Sequence, residues 1–311
     1  MPLGLTNAAA TFQSYIDNCL RGYVDDFAVC YLDVIFIHST DEKEHDEHLR
    51  TMLGRLREFG LYCKAERCQF GVLEVGLLGL VINSDGVSIE SDPISTIKAC
   101  LTPKSVQDIL MLLGFANFYQ RFIRKYAKIT LVLTALLRTT ETARAPRGSN
   151  GPLRRAMKWE WKWEAELAFR KLEKVFTDAP ILQHFDQAKP THLQTDASGF
   201  SIAGILNQND GFVTLRPVNF YSRKCCPAEK NDDTYDRELL AIEETMKQWQ
   251  HHLEGANHKV LIQCDHKNLE YFQTSKVLFW RQARWAVILS SYDFVIQHLE
   301  GNKNQPDGPS G

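Results

Sequence analysis

The sequence predicts an α+β fold that ends in a mixed five-stranded sheet with flanking helices. Three observations predict it. Residues 191–196, 201–207 and 215–222 are strand-like runs divided by short polar gaps, as antiparallel neighbours would be. After them come a long helical stretch at 234–253, an apolar run at 259–264, helical stretches at 266–273 and 281–291, and a last strand at 293–299. That order of three strands, helix, strand, helices and strand fits one sheet covered by helices. Finally, the segment 139–160, richest in polar residues, Gly and Pro between Thr139 and Met157, has no apolar period and reads as a linker. It separates an N-terminal part, itself divisible into 1–90 and 91–138, from a C-terminal part at 161–311.

The N-terminal elements follow from pattern. A helix is expected near Ala8 to Leu20. Phe27 to Leu32 and Ile35 to His38 are strands joined at Asp33-Val34. Residues 42–58 carry Leu49, Met52, Leu53 and Leu56 at helical spacing. A hairpin from Gly76 to Val87 turns at Asn83-Ser84-Asp85-Gly86, a strong turn signal. Residues 93–137 are helical: Ser105 is a cap, and Leu110, Leu113, Phe118, Phe122 and Tyr126 supply apolar faces. In the C-terminal part a helix from Glu164 to Thr177 stops at Asp178-Ala179-Pro180.

Composition bounds the function classes. With 311 residues, 44% apolar and 24% charged, the chain has the make-up of a globular protein of two or three domains. A net charge of −2 argues against a uniformly basic nucleic-acid binder but leaves room for a local groove. The eight cysteines form no CxxC pair or zinc-type set, so reduced thiols in cytosol or nucleus are expected. No run approaches the ~18 apolar residues of a membrane span, and no membrane partner is expected.

Four acids stand at element ends in the last third: Asp196 closing a strand, Glu238 opening the long helix, Asp265 after the run 260–264, and Asp307 after a turn. Side chains from separate element ends can converge. Hard divalent cations take oxygen ligands, and two such ions can clamp the attacking and leaving oxygens of a phosphodiester. Singly, each acid is an ordinary solvated group; the order of the elements between them gives the set its weight. By contrast His45-Asp46-Glu47-His48, despite metal-like spacing, sits in a charge run on a helix and reads as a solvated face.

The C-terminal part resembles the ribonuclease H domain of gypsy-type LTR retrotransposon polyproteins. The resemblance rests on Thr195-Asp196-Ala197-Ser198, Tyr221-Ser222-Arg223-Lys224, Pro227-Ala228-Glu229, Glu238-Leu239-Leu240-Ala241-Ile242, Asp265-His266-Lys267-Asn268-Leu269, Arg281-Gln282-Ala283-Arg284-Trp285 and Asp307-Gly308-Pro309-Ser310. It implies that Asp196, Glu238, Asp265 and Asp307 bind two Mg2+ ions, or Mn2+, and hydrolyse the RNA strand of an RNA–DNA hybrid. The N-terminal part is similar to the matching reverse transcriptase. Met1 to Gln13 resembles its nucleotide- and template-contacting helix, Tyr31-Leu32-Asp33-Val34 falls at its Tyr-Leu-Asp-Asp turn, Gly79 to Ile82 at its primer-gripping hairpin, and Leu113 to Phe122 at its thumb. The implied domains are a partial palm at 1–90, a thumb-like helical region at 91–138, the linker, and a connection helix with the ribonuclease H-like domain at 161–311. Hybrid or template-primer nucleic acid is the implied partner. The implied location is intracellular, in a cytoplasmic retroelement particle or the nucleus; the oligomeric state is open.

Two departures shape the functional expectation. Val34 replaces the second aspartate of the catalytic turn, and the chain starts after the segment that carries the family's first palm aspartate. Asp33 is left as a residual palm ligand, so polymerase activity is expected to be lost. Tyr23-Val24-Asp25-Asp26 spells the same pattern but follows a polar helix end and lacks flanking strands. Asp307 precedes only Gly-Pro-Ser-Gly, too few residues for the helix the family places there, so this acid is expected to be poorly held. Asp196, Glu238 and Asp265 are expected to converge within metal-bridging reach. Nucleic-acid contacts are expected at Gly4 and Gln13, on the basic face of Arg121 and Lys125, and at Arg281 and Arg284, with Trp285 in the core. Two functions remain: a metal-dependent ribonuclease H, or an inert remnant that at most binds nucleic acid. Cleavage of a labelled hybrid separates them.

Overall fold

A computed structural model of the chain describes residue 4 and residues 6–24, 26–141, 159–209, 214–274 and 278–299. Two compact units make it up, Met1–Leu73 and Glu74–Gly311.

The first unit packs α1 (Ala8–Cys19) and α2 (Glu42–Glu58) around a hairpin of β1 (Ala28–Tyr31) and β2 (Val34–Ile37). Its core is Ile16, Cys19, Leu20, Phe27, Ala28, Met52 and Leu56. Asp41 starts α2 by accepting the Glu44 N–H at 2.8 Å, and Arg55 and Arg57 in the last turn suit the helix dipole. The hairpin turn falls one residue earlier than expected. Tyr31 and Val34 are cross-strand partners, so Leu32 and Asp33 make the turn, with Leu32 left-handed at φ 52°. Val34 is β-branched and joins the strand; the Leu32 N–H is held by Gln13 Oε1 at 2.6 Å. The histidines of the charge run serve packing: Ser39 Oγ bonds Nδ1 of both His45 and His48, and His48 stacks on Phe27 at 3.8 Å.

The second unit opens with a meander of β3 (Glu74–Leu77), β4 (Leu80–Asn83) and β5 (Gly86–Ile89). The expected turn at 83–86 is built by Asn83 Oδ1, which accepts the N–H groups of Asp85 and Gly86. A second tight turn precedes it, with Leu78 and Gly79 both at positive φ, so the predicted hairpin is a three-stranded sheet. Among the described residues five α-helices follow: α3 (Ser91–Lys98), α4 (Val106–Phe118), α5 (Tyr126–Ile129), α6 (Leu131–Glu141) and α7 (Trp163–Thr177). Ser105 and Asp108 form a capping box on α4. Helix α6 runs to Glu141, three residues into the segment expected to be linker; residues 142–158 lie outside those described.

The five-stranded sheet comprises β6 (Thr191–Ala197), β7 (Ser201–Asn209), β8 (Leu215–Lys224), β9 (Val260–Cys264) and β10 (Phe294–His298), in the order β10-β9-β6-β7-β8. The first three are antiparallel, while β9 runs parallel to β6 and to β10. Helices α8 (Thr234–Gln248), α9 (Gln250–Leu253) and α10 (Trp280–Leu289) share one core with the sheet, including Leu193, Ile202, Leu239, Ile262 and Trp285. The helix expected over 234–253 breaks at Trp249, whose ring is buried in that core. A second core joins Ile205 and Phe220 of the sheet to Ile109, Leu112, Phe122, Phe169 and Phe176. Helices α4 and α7 therefore share a core with the sheet.

Candidate carboxylate site

Three of the four acids sit at one end of the sheet. Asp196 is the penultimate residue of β6, and Asp265 directly follows β9. The parallel register pairs Gln194 with Gln263, and continuing it two residues sets Asp196 level with Asp265. Glu238 lies in the second turn of α8, which crosses from β8 to β9. The Ala197 N–H donates to Glu238 Oε1 at 3.2 Å, tying the helix to the strand end that bears Asp196. Glu238 is 1% exposed, and its Oε2 finds no hydrogen-bond partner among the described residues. Burial, then the charge of Asp265 and more weakly that of Asp196, pushes its carboxyl up to about 9.

Asp196 is placed differently. Its Oδ2 pairs with Lys125 Nζ at 3.0 Å. Among the described residues no group of three acids, histidines or cysteines is placed to hold one ion. The expected three-way convergence is thus not seen: Glu238 and Asp265 adjoin, while Asp196 finds its counter-charge in Lys125. Asp307 lies outside the described residues.

The residues expected to touch nucleic acid are placed as follows. Gln13 spends both ends of its amide inside the first unit, accepting from Leu32 and donating to Asp17 at 2.7 Å. Asp33 is exposed at the hairpin turn, and Gly4 has φ 115° with open space around its Cα. Arg121 is exposed, its guanidinium over the Phe122 ring. Arg281 reaches Asp232 at 2.7 Å and covers Trp285, which is buried as expected; Arg284 is exposed. Lys125 belongs to the carboxylate site, a position its sequence neighbourhood of basic residues did not signal.

Comparison with known proteins agrees with this architecture. Residues 1–82 match the model of the reverse transcriptase (RNA-dependent DNA polymerase) family, and residues 161–262 match that of the RNase H-like domain found in reverse transcriptase. The chain therefore carries reverse-transcriptase and ribonuclease H-like domains. It is 30% identical over 306 residues to the transposon Tf2-3 and Tf2-7 polyproteins of Schizosaccharomyces pombe, which covers 98% of this chain and 22% of each polyprotein. The chain thus spans about a fifth of those relatives. Among solved structures, the foamy viral protease-reverse transcriptase in complex with RNA/DNA hybrid aligns with a TM-score of 0.72 at 18% identity, over 100% of this chain and 40% of that one. A second foamy viral structure, in complex with double-stranded DNA, gives 0.74 at 17% identity over 96% and 50%. These likenesses establish the fold: a mixed α+β chain close to reverse transcriptases.

Proposed function

We propose that this chain is part of a gypsy-type retrotransposon polyprotein and that its C-terminal domain is a metal-dependent ribonuclease acting on the RNA strand of RNA–DNA hybrids. The observation that carries the reading is Glu238: a carboxylate buried in the core, one oxygen without a partner among the described residues, beside Asp265 and the strand end of Asp196. A buried orphan carboxylate oxygen is costly unless something satisfies it. The donor set is all oxygen, which suits Mg2+ or Mn2+. Glu238, Asp265 and Asp196 would hold the ions, with Asp307 as the fourth acid. Bound, these ions would supply electrostatic stabilisation to both the attacking and the leaving oxygen of a phosphodiester. The chain's own part would be positional: the Ala197 N–H holds Glu238, and the parallel pairing of Gln194 with Gln263 brings β6 and β9 to the same end of the sheet.

In the N-terminal unit, Asp33 is the single acid of the 31–34 turn, since valine stands at position 34. We infer that polymerase activity is lost, since Val34 takes away a carboxylate that the turn would contribute to a two-ion site. The same reading puts the chain in a cytoplasmic particle or the nucleus. Separately, no described helix is long and apolar enough to cross a membrane.

The test is cleavage of an end-labelled RNA–DNA hybrid with Mg2+ or Mn2+. The expected result is metal-dependent cleavage that Asp196→Asn reduces by at least about 100-fold, the scale of losing a charged group that acts in the transition state. The competing reading, an inert nucleic-acid binder, draws on the pairing of Asp196 with Lys125. Hybrid binding with no cleavage in either metal would establish it instead.

A further inference from the structure

Lys125 comes from outside the ribonuclease H-like domain, on the turn between Ile123 and α5. Its backbone is left-handed, φ 54° and ψ 34°, a conformation unfavourable for a non-glycine residue. The flanks hold it there. Phe122, Ile123, Tyr126 and Ala127 are all buried. Tyr126 donates its hydroxyl to Asn117 Oδ1 at 2.7 Å, and the Ala127 N–H donates to Ser222 Oγ at 2.9 Å.

The sheet register explains why this turn can reach the site. Asp196 pairs with Ala203, and Ala203 pairs with Ser222. The three residues form one row across β6, β7 and β8, and cross-strand partners share a face. Ile205 and Phe220, two residues along, are on that same face, where the thumb-like helices pack. The turn is fastened to the Ser222 end of the row, and the lysine spans it to meet the Asp196 end at 3.0 Å.

Building on the metal-site reading above, we propose that Lys125 is a built-in counter-ion of the carboxylate site, balancing Asp196 until a divalent cation takes it. The helical region before the linker would then set the metal affinity of the domain after it. Two cations of unlike kind compete for one carboxylate, so deleting the ammonium should favour the divalent ion.

Mn2+ binding to the full chain, read from the electron paramagnetic resonance signal of free Mn2+ at low ionic strength, tests this without any turnover. Lys125→Asn is the informative variant, because asparagine tolerates the left-handed backbone. It should tighten Mn2+ binding roughly two- to five-fold, the scale of a part-exposed ion pair. Lys125→Arg, which keeps the charge, and Lys174→Gln, which removes one from exposed α7 surface, should both bind as the parent does. In an Asp196→Asn background the Lys125→Asn gain should vanish. Circular dichroism confirms that each variant is folded. Unchanged or weaker binding in Lys125→Asn, or equal tightening in Lys174→Gln, overturns the counter-ion role while leaving the metal site standing. A parent chain with no Mn2+ binding that depends on Asp196 overturns both.

Discussion

Among the described residues Glu238 has one oxygen bonded and one without a partner, inside a core with Asp265 and Asp196 near it. Because burial lifts its carboxyl to about 9, the group is protonated near neutral pH unless a cation intervenes. Glu238→Gln reproduces that neutral form in shape and charge. It should change thermal stability without metal by less than about 1 kcal/mol, as isosteric core changes do. It should also remove most of the rise in Tm that Mn2+ gives the parent chain. Thermal melts of both proteins with and without Mn2+ check this; a full Mn2+ shift in the variant would remove Glu238 from the site. Asp196, Glu238 and Asp265 could be picked out of the sequence because each falls near the end of a strand or helix. Lys125 was legible only as a basic residue among others. Its pairing depends on a left-handed backbone and on a row across three strands, neither of which a linear pattern carries.

At the scale of elements, two polar clusters fasten the helices. Arg281 and Gln282 of α10 bond Asp232 and Asp236 at the start of α8, at 2.7 and 2.8 Å. Arg281, expected to contact phosphate, is thus tied to Asp232 in the folded chain. Arg281→Ala should lower stability by about 1–2 kcal/mol, discounted because Arg281 is partly exposed. Hybrid affinity should change less than about three-fold, measured by fluorescence anisotropy beside a thermal melt. Arg223 of β8 bonds Glu229 at 2.8 Å and Glu244 of α8 at 2.9 Å. The Arg223 guanidinium holds the Glu229 carboxyl down to about 2, from an ordinary 4.5. A depressed acid contributes stability above its unfolded value and loses it as pH falls. This contribution, on the order of 2–3 kcal/mol, should therefore be complete above about pH 4.5 and fade toward pH 2. Glu229→Gln should flatten that acid limb in denaturant titrations; an unchanged limb would show that other carboxylates carry it. Both clusters fall within motifs visible in the sequence, yet the motif gave no sign of their structural task. The trimmed helix at Trp249 has a similar cause: tertiary burial of one ring outweighed a continuous helical pattern.

For the whole molecule, the order of strands and helices in the C-terminal part was readable because each element is short, apolar on one face and bounded by turn residues. The grouping of elements was not. The polar segment at 139–160 marks a break in the chain but not in the core, since Ile205 and Phe220 pack with Leu112, Phe169 and Phe176. Protease cleavage within 142–158 should leave two fragments that co-elute on gel filtration and melt in one transition; fragments that separate would refute the shared core. The meander is joined to the same unit by the backbone pair of Val87 and Leu182, at 2.7 and 2.8 Å. Gly86 permits this approach: its φ is 143°, and a Cβ there would lie 2.0 Å from the Leu182 carbonyl oxygen. Gly86→Ala should cost about 2–4 kcal/mol in chemical denaturation, combining backbone strain with overpacking.

The shared core also bears on how such chains can be exchanged between related elements. A crossover inside 142–158 would join a helical region from one parent to a sheet from another, and Ile205 and Phe220 would meet side chains shaped for a different surface. The same crossover would part Lys125 from the aspartate it neutralises. A crossover at 73/74 cuts neither, because the second unit travels intact with its counter-ion. Viable hybrids, whether made by a reverse transcriptase switching templates or by design, should therefore collect their junctions near residue 73 and avoid the stretch whose composition most invites a cut.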